Sequence, residues 1–211
     1  MRIGYLVPVN PERDKKAWSG TYYSIFQQLE KMGFNVEWIS YDISSLKIKL
    51  AFKRYQLKNG FKVDFFRDFL HSWDLSRIRA ISIRQKLDDY DLIVCPGQSE
   101  VLASITTKTP ILYYSDATVP LMTDYYWFGM KKKTLEESKQ VEKKALENAK
   151  YRVFASHWAT DSVTSDYSID NNVFILPFDP GISVKNNIRG KKKINKNGTV
   201  PCQVYTLNNK N

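Results

Sequence analysis

Short apolar runs recur along this chain, and each is followed by a stretch with helical spacing or by a turn. That alternation restricts the fold more than any other feature. Parallel strands need crossover connections, and the crossover helices bury the faces of the sheet. Ile3 to Val7 is the first run, closed by Pro8. Ser19 can cap a helix through Leu29, with Tyr22, Ile25, Phe26 and Leu29 at helical spacing, and Gly33 ends it. Asn35 to Ile39 resumes as a strand. The unit is a right-handed parallel βαβ crossover.

The pattern then repeats. Asp91 to Cys95 is a strand, and Ser99 to Ile105 a short helix. Pro110 to Tyr114 is a strand. Thr134 to Lys150 is a helix opened by a capping box, Thr134 with Glu137. Tyr151 to Ala155 is a strand, Ser156 caps a helix to about Tyr167, and Val173 to Leu176 is the last strand. The expected fold is α/β, a Rossmann-like doubly wound and mostly parallel sheet over residues 1–182. Residues 183–211 lack periodicity and read as a basic, irregular, mostly disordered tail.

Ser44 to Tyr90 is helical in tone. Its apolar cluster is Phe61, Phe65, Phe66, Phe69 and Leu70. Its first half is basic, with Lys47, Lys49, Lys53, Arg54, Lys58 and Lys62. Two meanings stay open for those charges: a solvated helix face, or a surface that rests on anionic lipid headgroups.

Composition closes off several classes. Cys95 and Cys202 are too few for a disulfide scaffold or a Cys-rich zinc fold. His71 and His157 do not suffice for a histidine metal site, so no metal is expected. No run is long enough for a membrane span, and the start lacks a secretory pattern. The expected location is the cytoplasm, with peripheral contact at the inner membrane face allowed by the basic segment. The net charge of +10 sits unevenly. Seven Lys and Arg follow Asp179 with no acid among them, so the remaining 25 face 22 Asp and Glu, a net of +3. A basic tail without interleaved aromatics argues against a nucleic-acid partner.

The first strand leads into no Gly-x-Gly-x-x-Gly, and no Walker-type Gly-Lys-Ser/Thr occurs. The loop instead reads Ala17-Trp18-Ser19-Gly20-Thr21. Ligands of open α/β sheets sit at the carboxyl ends of strands, where this loop lies. Gly20 permits close approach of a ligand, Ser19 and Thr21 offer hydroxyls, and Trp18 can stack on a sugar ring or simply pack. Two more strand ends reach the same edge. One carries Cys95-Pro96-Gly97-Gln98-Ser99-Glu100, which adds Ser99 and Glu100 as polar candidates. The other carries Ser115-Asp116-Ala117-Thr118, where Asp116 can orient or deprotonate a hydroxyl or merely cap a turn. Tyr125, Tyr126 and Trp127 form an aromatic patch that covers the cleft or packs in the core. His157 opens a helix at this edge. No nucleophile elbow accompanies it, which excludes a Ser-His-Asp hydrolase. Cys95 reads as buried and inert.

Taken in order, these segments resemble the amino-terminal half of a GT-B glycosyltransferase of the large family 4 type. The resemblance runs through Ile3 to Val7, Trp18 to Thr21 and Gly33-Phe34-Asn35-Val36. It continues in Asp91 to Val94, Thr109-Pro110-Ile111 and Ser115 to Thr118. Its most specific stretch is Glu142-x-x-Ala145-Leu146, Ser156-His157-Trp158-Ala159, Asp166-Tyr167, then Val173 to Phe178. It implies an acceptor-binding domain for hexosyl transfer from a nucleoside diphosphate sugar to an acceptor hydroxyl. Asp116 and His157 would be the catalytic candidates. Trp18, Ser19, Gly20, Thr21, Ser99, Glu100 and Tyr125 would line the acceptor side.

In the family, a second α/β domain binds the donor. Here the sequence departs after Phe178, with Asp179 where the family often has Gly. The expectation is therefore a chain that holds no cofactor tightly, meets a nucleotide sugar only with a second domain, and does not catalyse transfer alone. Its expected partners are a sugar or glycoconjugate acceptor, a donor-domain chain, or a second copy docked through the interdomain face. The competing reading is a stand-alone Rossmann-like binding or scaffold module that pairs with another chain.

Overall fold

The computed structural model describes residues 1–178. Six parallel strands form one sheet: β1 (Arg2–Leu6), β2 (Asn35–Ile39), β3 (Leu92–Pro96), β4 (Ile111–Ser115), β5 (Tyr151–Phe154) and β6 (Val173–Ile175), in the spatial order β2-β1-β3-β4-β5-β6. The principal helices are α1 (Thr21–Lys31), α2 (Ser45–Asn59), α3 (Trp73–Ser82), α4 (Ser99–Leu102), α5 (Val119–Met122), α6 (Lys132–Asn148) and α7 (His157–Tyr167). This is the expected Rossmann-like α/β architecture, and the sheet is parallel throughout. The tail expected at 183–211, with Cys202, lies outside the described residues.

Side chains alternate along each strand, so each run feeds two cores. Ile3, Tyr5 and Val7 pack with Tyr22 and Phe26 of α1. Leu6, Ile93 and Cys95 face the opposite side and meet α4, α6 and α7 through Leu102, Leu146 and Val163. Gly4 serves this second face. A Cβ there would lie 2.5 Å from Ile39 Cδ1 and 3.1 Å from the Tyr90 ring, so a larger residue would force both side chains to shift.

The segment 45–90 resolves into α2, a wide π turn at Phe65–Phe69 and α3. Phe52, Phe65 and Phe69 stack with centroids 5.2–5.4 Å apart, around buried Tyr55 and Leu75.

Two expected helix caps are replaced. Gly20, not Ser19, precedes α1, with φ 85° and no side-chain cap. Ser19 itself has φ 54°, in the left-handed region and not the extended backbone of an N-cap residue. Thr134 and Glu137 do not form a capping box, because α6 starts earlier, at Lys132. The Thr134 hydroxyl instead donates to Asp68. Glu137 accepts from the Tyr55 hydroxyl at 3.0 Å and from Trp73 N–H at 3.1 Å. The pair ties α6 to the 65–75 segment. Ser156 does cap α7, accepting from Ala159 N–H at 3.3 Å.

Candidate functional site at the carboxyl edge of the sheet

The chain moves from β1 outward to β2, then returns across β1 to β3. The connections leaving β1 and β3 therefore diverge and open a crevice at their carboxyl ends, the usual ligand position in open α/β sheets. The turn that enters α1 lies at this crevice, and its backbone is strained. Trp18, Ser19 and Gly20 have successive φ values of 47°, 54° and 85°. Consecutive non-glycine residues in the left-handed region persist only where surrounding contacts hold them. Here those contacts fall on the indole. Trp18 packs on Tyr22 at 5.2 Å and on Phe178 at 5.4 Å between ring centroids. It also lies over Gly97, where a Cβ would come within 3.4 Å of the ring. Gly97 has φ 66°, so the position favours glycine for conformation as well as for space.

The indole forms one wall of a cavity of about 240 Å³. Tyr22 of α1 with Gly97, Ser99 and Glu100 after β3 line one side, and Tyr113 and Ser115 to Val119 line the β4 side. His71, Trp127, Met122 and Glu142 close it.

Glu142 is the most perturbed carboxyl of this wall. It projects from the inner face of α6 and is 3 % exposed. Its Oε2 accepts from Val119 N–H at 2.6 Å and from the Tyr167 hydroxyl at 2.5 Å. Burial pushes its pKa up to about 7, against the opposing effect of those two hydrogen bonds. A carboxyl with a pKa near neutrality in a cleft is a proton-transfer candidate. Burial also lowers the His71 pKa, and the imidazole lies tilted against Trp127 with centroids 4.4 Å apart. Glu100 forms an ion pair with Arg79. Gln98 bridges two tyrosines, accepting from the Tyr41 hydroxyl at 2.5 Å and donating to the Tyr22 hydroxyl at 2.7 Å.

The structure brings Trp18, Ser99, Glu100 and Asp116 together around the cavity. Asp116 is exposed at its lip and also borders a wider, open cavity of about 780 Å³ with Tyr125, Tyr126 and Trp158. Tyr125 thus belongs to an outer aromatic shelf, its ring 6.3 Å from that of Trp158. Ser19 and Gly20 shape the turn and line neither cavity. Thr21 borders a different, apolar cavity of about 380 Å³ beside α1. His157 is exposed on the first residue of α7 and lines neither edge cavity.

The sequence assigns no binding or catalytic role to His71, Tyr22 or Glu142: Tyr22 reads as part of the apolar face of the first helix, and Glu142 only as part of the family-like stretch. Glu142 did carry a signal. The spacing of Thr134, Ser138, Val141, Glu142 and Ala145 puts a carboxylate on the inward stripe of an otherwise charged helix. Among the described residues, no three His, Cys, Asp or Glu side chains come together as a metal site.

No protein-family model and no curated protein matches the chain.

Proposed function

We propose that this chain is the acceptor-side domain of a GT-B type glycosyltransferase, holding a sugar or glycoconjugate acceptor at the carboxyl edge of its sheet. One observation carries the reading: a strained turn holds the Trp18 indole against Gly97 as the wall of a cavity with the Asp116 carboxylate at its lip. An indole face suits the apolar face of a sugar ring. The carboxylate accepts from a sugar hydroxyl, and Ser99 and Ser115 offer further polar contacts. In the transfer, the acceptor hydroxyl attacks the anomeric carbon of the donor sugar and the nucleoside diphosphate leaves. Asp116 takes the hydroxyl proton. Tyr125 and Trp158 extend the platform outward for a longer acceptor. The nucleotide sugar belongs to a second Rossmann-like domain, and the reading places the whole in the cytoplasm.

Quenching of tryptophan emission by monosaccharides, disaccharides and alkyl glycosides tests this. Saturable quenching by one sugar class, lost in Trp18→Ala and retained in Trp38→Phe, is the expected result. Saturable binding of nucleoside diphosphates without sugar binding would overturn it, and turnover of a nucleotide sugar by the chain alone would overturn the division of labour.

A second reading, a scaffold module that pairs with another chain, draws on the α1 face of the sheet. There Leu92, Leu112, Tyr114 and Val153 border the apolar cavity of about 380 Å³. Such a surface suits a packed partner. Light scattering decides it: a concentration-dependent dimer weakened by Leu112→Glu supports pairing through this face.

A further inference from the structure

Helix α2 is apolar on two opposite sides. Inward, Ile48, Phe52 and Tyr55 join the phenylalanine cluster around Phe69. Outward, Leu46, Leu50 and Leu57 are 66 %, 58 % and 73 % exposed. Steps of four and seven residues return to nearly the same side of a helix, so these leucines make one stripe, with Lys53 in line between Leu50 and Leu57. Lys47, Lys49, Arg54 and Lys58 stand beside the stripe, all exposed. The helix contains no acid. The nearest carboxylates along the chain are Asp42 and Asp64, and Asp64 already caps the next turn by accepting from Arg67 N–H at 2.8 Å.

The apolar surface continues past the helix. Phe61, Phe66 and Phe128 are 75 %, 72 % and 63 % exposed. Lys131 Nζ donates to Asn59 O at 2.9 Å, and Arg67 Nη1 donates to Phe128 O at 2.7 Å. These bonds fix the 128–131 loop beside the carboxyl end of α2, so Phe128, Lys131 and Arg67 lie at the corner where the leucine stripe ends. Scattered apolar side chains on a surface need no explanation, but an aligned apolar stripe inside a cationic frame does.

We infer that this corner is a docking surface for an anionic lipid bilayer. The leucines and phenylalanines enter the headgroup and acyl boundary, and the surrounding Lys and Arg meet lipid phosphates. Such a surface binds by apolar burial and charge attraction together. A nucleic acid would satisfy the cations and leave the leucines in water. The bilayer satisfies both.

The test is co-sedimentation of the full chain with vesicles of phosphatidylcholine and phosphatidylglycerol, against vesicles of phosphatidylcholine alone. Binding to the mixed vesicles and not to the neutral ones is expected. The triple variant Leu46→Ser, Leu50→Ser, Leu57→Ser weakens partition by about tenfold or more. Lys47→Glu, Lys49→Glu, Lys53→Glu weakens it by on the order of a hundredfold. The basic tail is common to every variant, so differences between them report α2. The single variant Leu57→Glu repeats the test with the smallest disturbance to folding. Unchanged partition of both leucine variants overturns the inference and leaves attachment by charge alone. So does a wild-type chain that ignores mixed vesicles while forming a dimer that the leucine variants dissolve.

Discussion

Helices α2 and α6 are built from similar material and end in different surroundings. They have 15 and 17 residues, both are rich in lysine, and both pack against the 65–75 segment. Helix α6 has one inward stripe, and its opposite face is made of exposed charged side chains such as Lys133, Lys144 and Glu147. Helix α2 has two apolar stripes and no acid. The difference shows what an unusual residue on a helix face signals. On α6 it is a carboxyl, Glu142, set among apolar neighbours on the inward side. On α2 it is a set of leucines among cations on the outward side. Each departs from the pattern that packing alone requires, so each is a place to look for function.

The largest effect falls on the inward exception. Glu142→Ala removes the acceptor of Val119 N–H and of the Tyr167 hydroxyl, and it leaves a gap at a nearly fully buried position. A loss of about 3 kcal/mol of stability is expected, read from urea unfolding. An unchanged midpoint would mean that the site wall does not depend on this carboxyl.

The same residue sets a pH dependence of comparable size. Its folded pKa is raised to about 7, from an unfolded value near the ordinary 4.5. The folded state therefore holds the proton more tightly than the unfolded chain. Its contribution is complete below about pH 4.5 and is lost as pH rises through about 7. The difference between those limits is on the order of 3 kcal/mol. Glu142→Gln flattens this part of the stability profile. A variant whose profile keeps the wild-type slope over that window would assign the slope to other groups.

The contrast between the two helices also explains what the sequence discloses. The strands are legible because buried parallel strands appear as continuous apolar runs, as in Leu92–Pro96 and Ile111–Ser115. The carboxyl edge follows from their direction, which is why Trp18, Ser99, Glu100 and Asp116 meet. Helix α2 is harder to read, since apolar residues on opposite sides cancel the periodicity that marks an amphipathic helix. The helix start at Thr21 is hidden for another reason. Left-handed backbone at Trp18 and Ser19 follows from tertiary contacts of the indole, and no local pattern spells it. His71 reaches the cavity only because the connection from β2 to β3 folds back until its ring meets Trp127. That meeting depends on packing across the domain, not on spacing along the chain.

A smaller change probes how Glu142 is held. Tyr167→Phe deletes one hydrogen bond to the carboxylate and keeps the ring in the core. Stability falls by about 1 kcal/mol. Because that bond lowers the Glu142 pKa, its removal moves the titration further above the wild-type value. The pH profile therefore shifts upward, an effect that simple loss of packing would not produce.

The smallest expected effect lies on α2 and is the sharpest test of the comparison. Replacing Leu46, Leu50 and Leu57 with serine removes side chains that are mostly exposed in the fold. Stability in water should fall by only a few tenths of a kcal/mol per position, within the range of ordinary surface substitutions. Helix propensity falls slightly with serine, and the minor part of each leucine that the fold buries is lost, so both small effects act in the destabilising direction. Thermal unfolding of the triple variant beside the wild type measures their sum. A large loss would mean that the leucines pack within the protein, and α2 would then differ from α6 only in how it is buried. A negligible loss would mean that the folded chain does not need the stripe, and that whatever keeps it apolar acts from outside the domain.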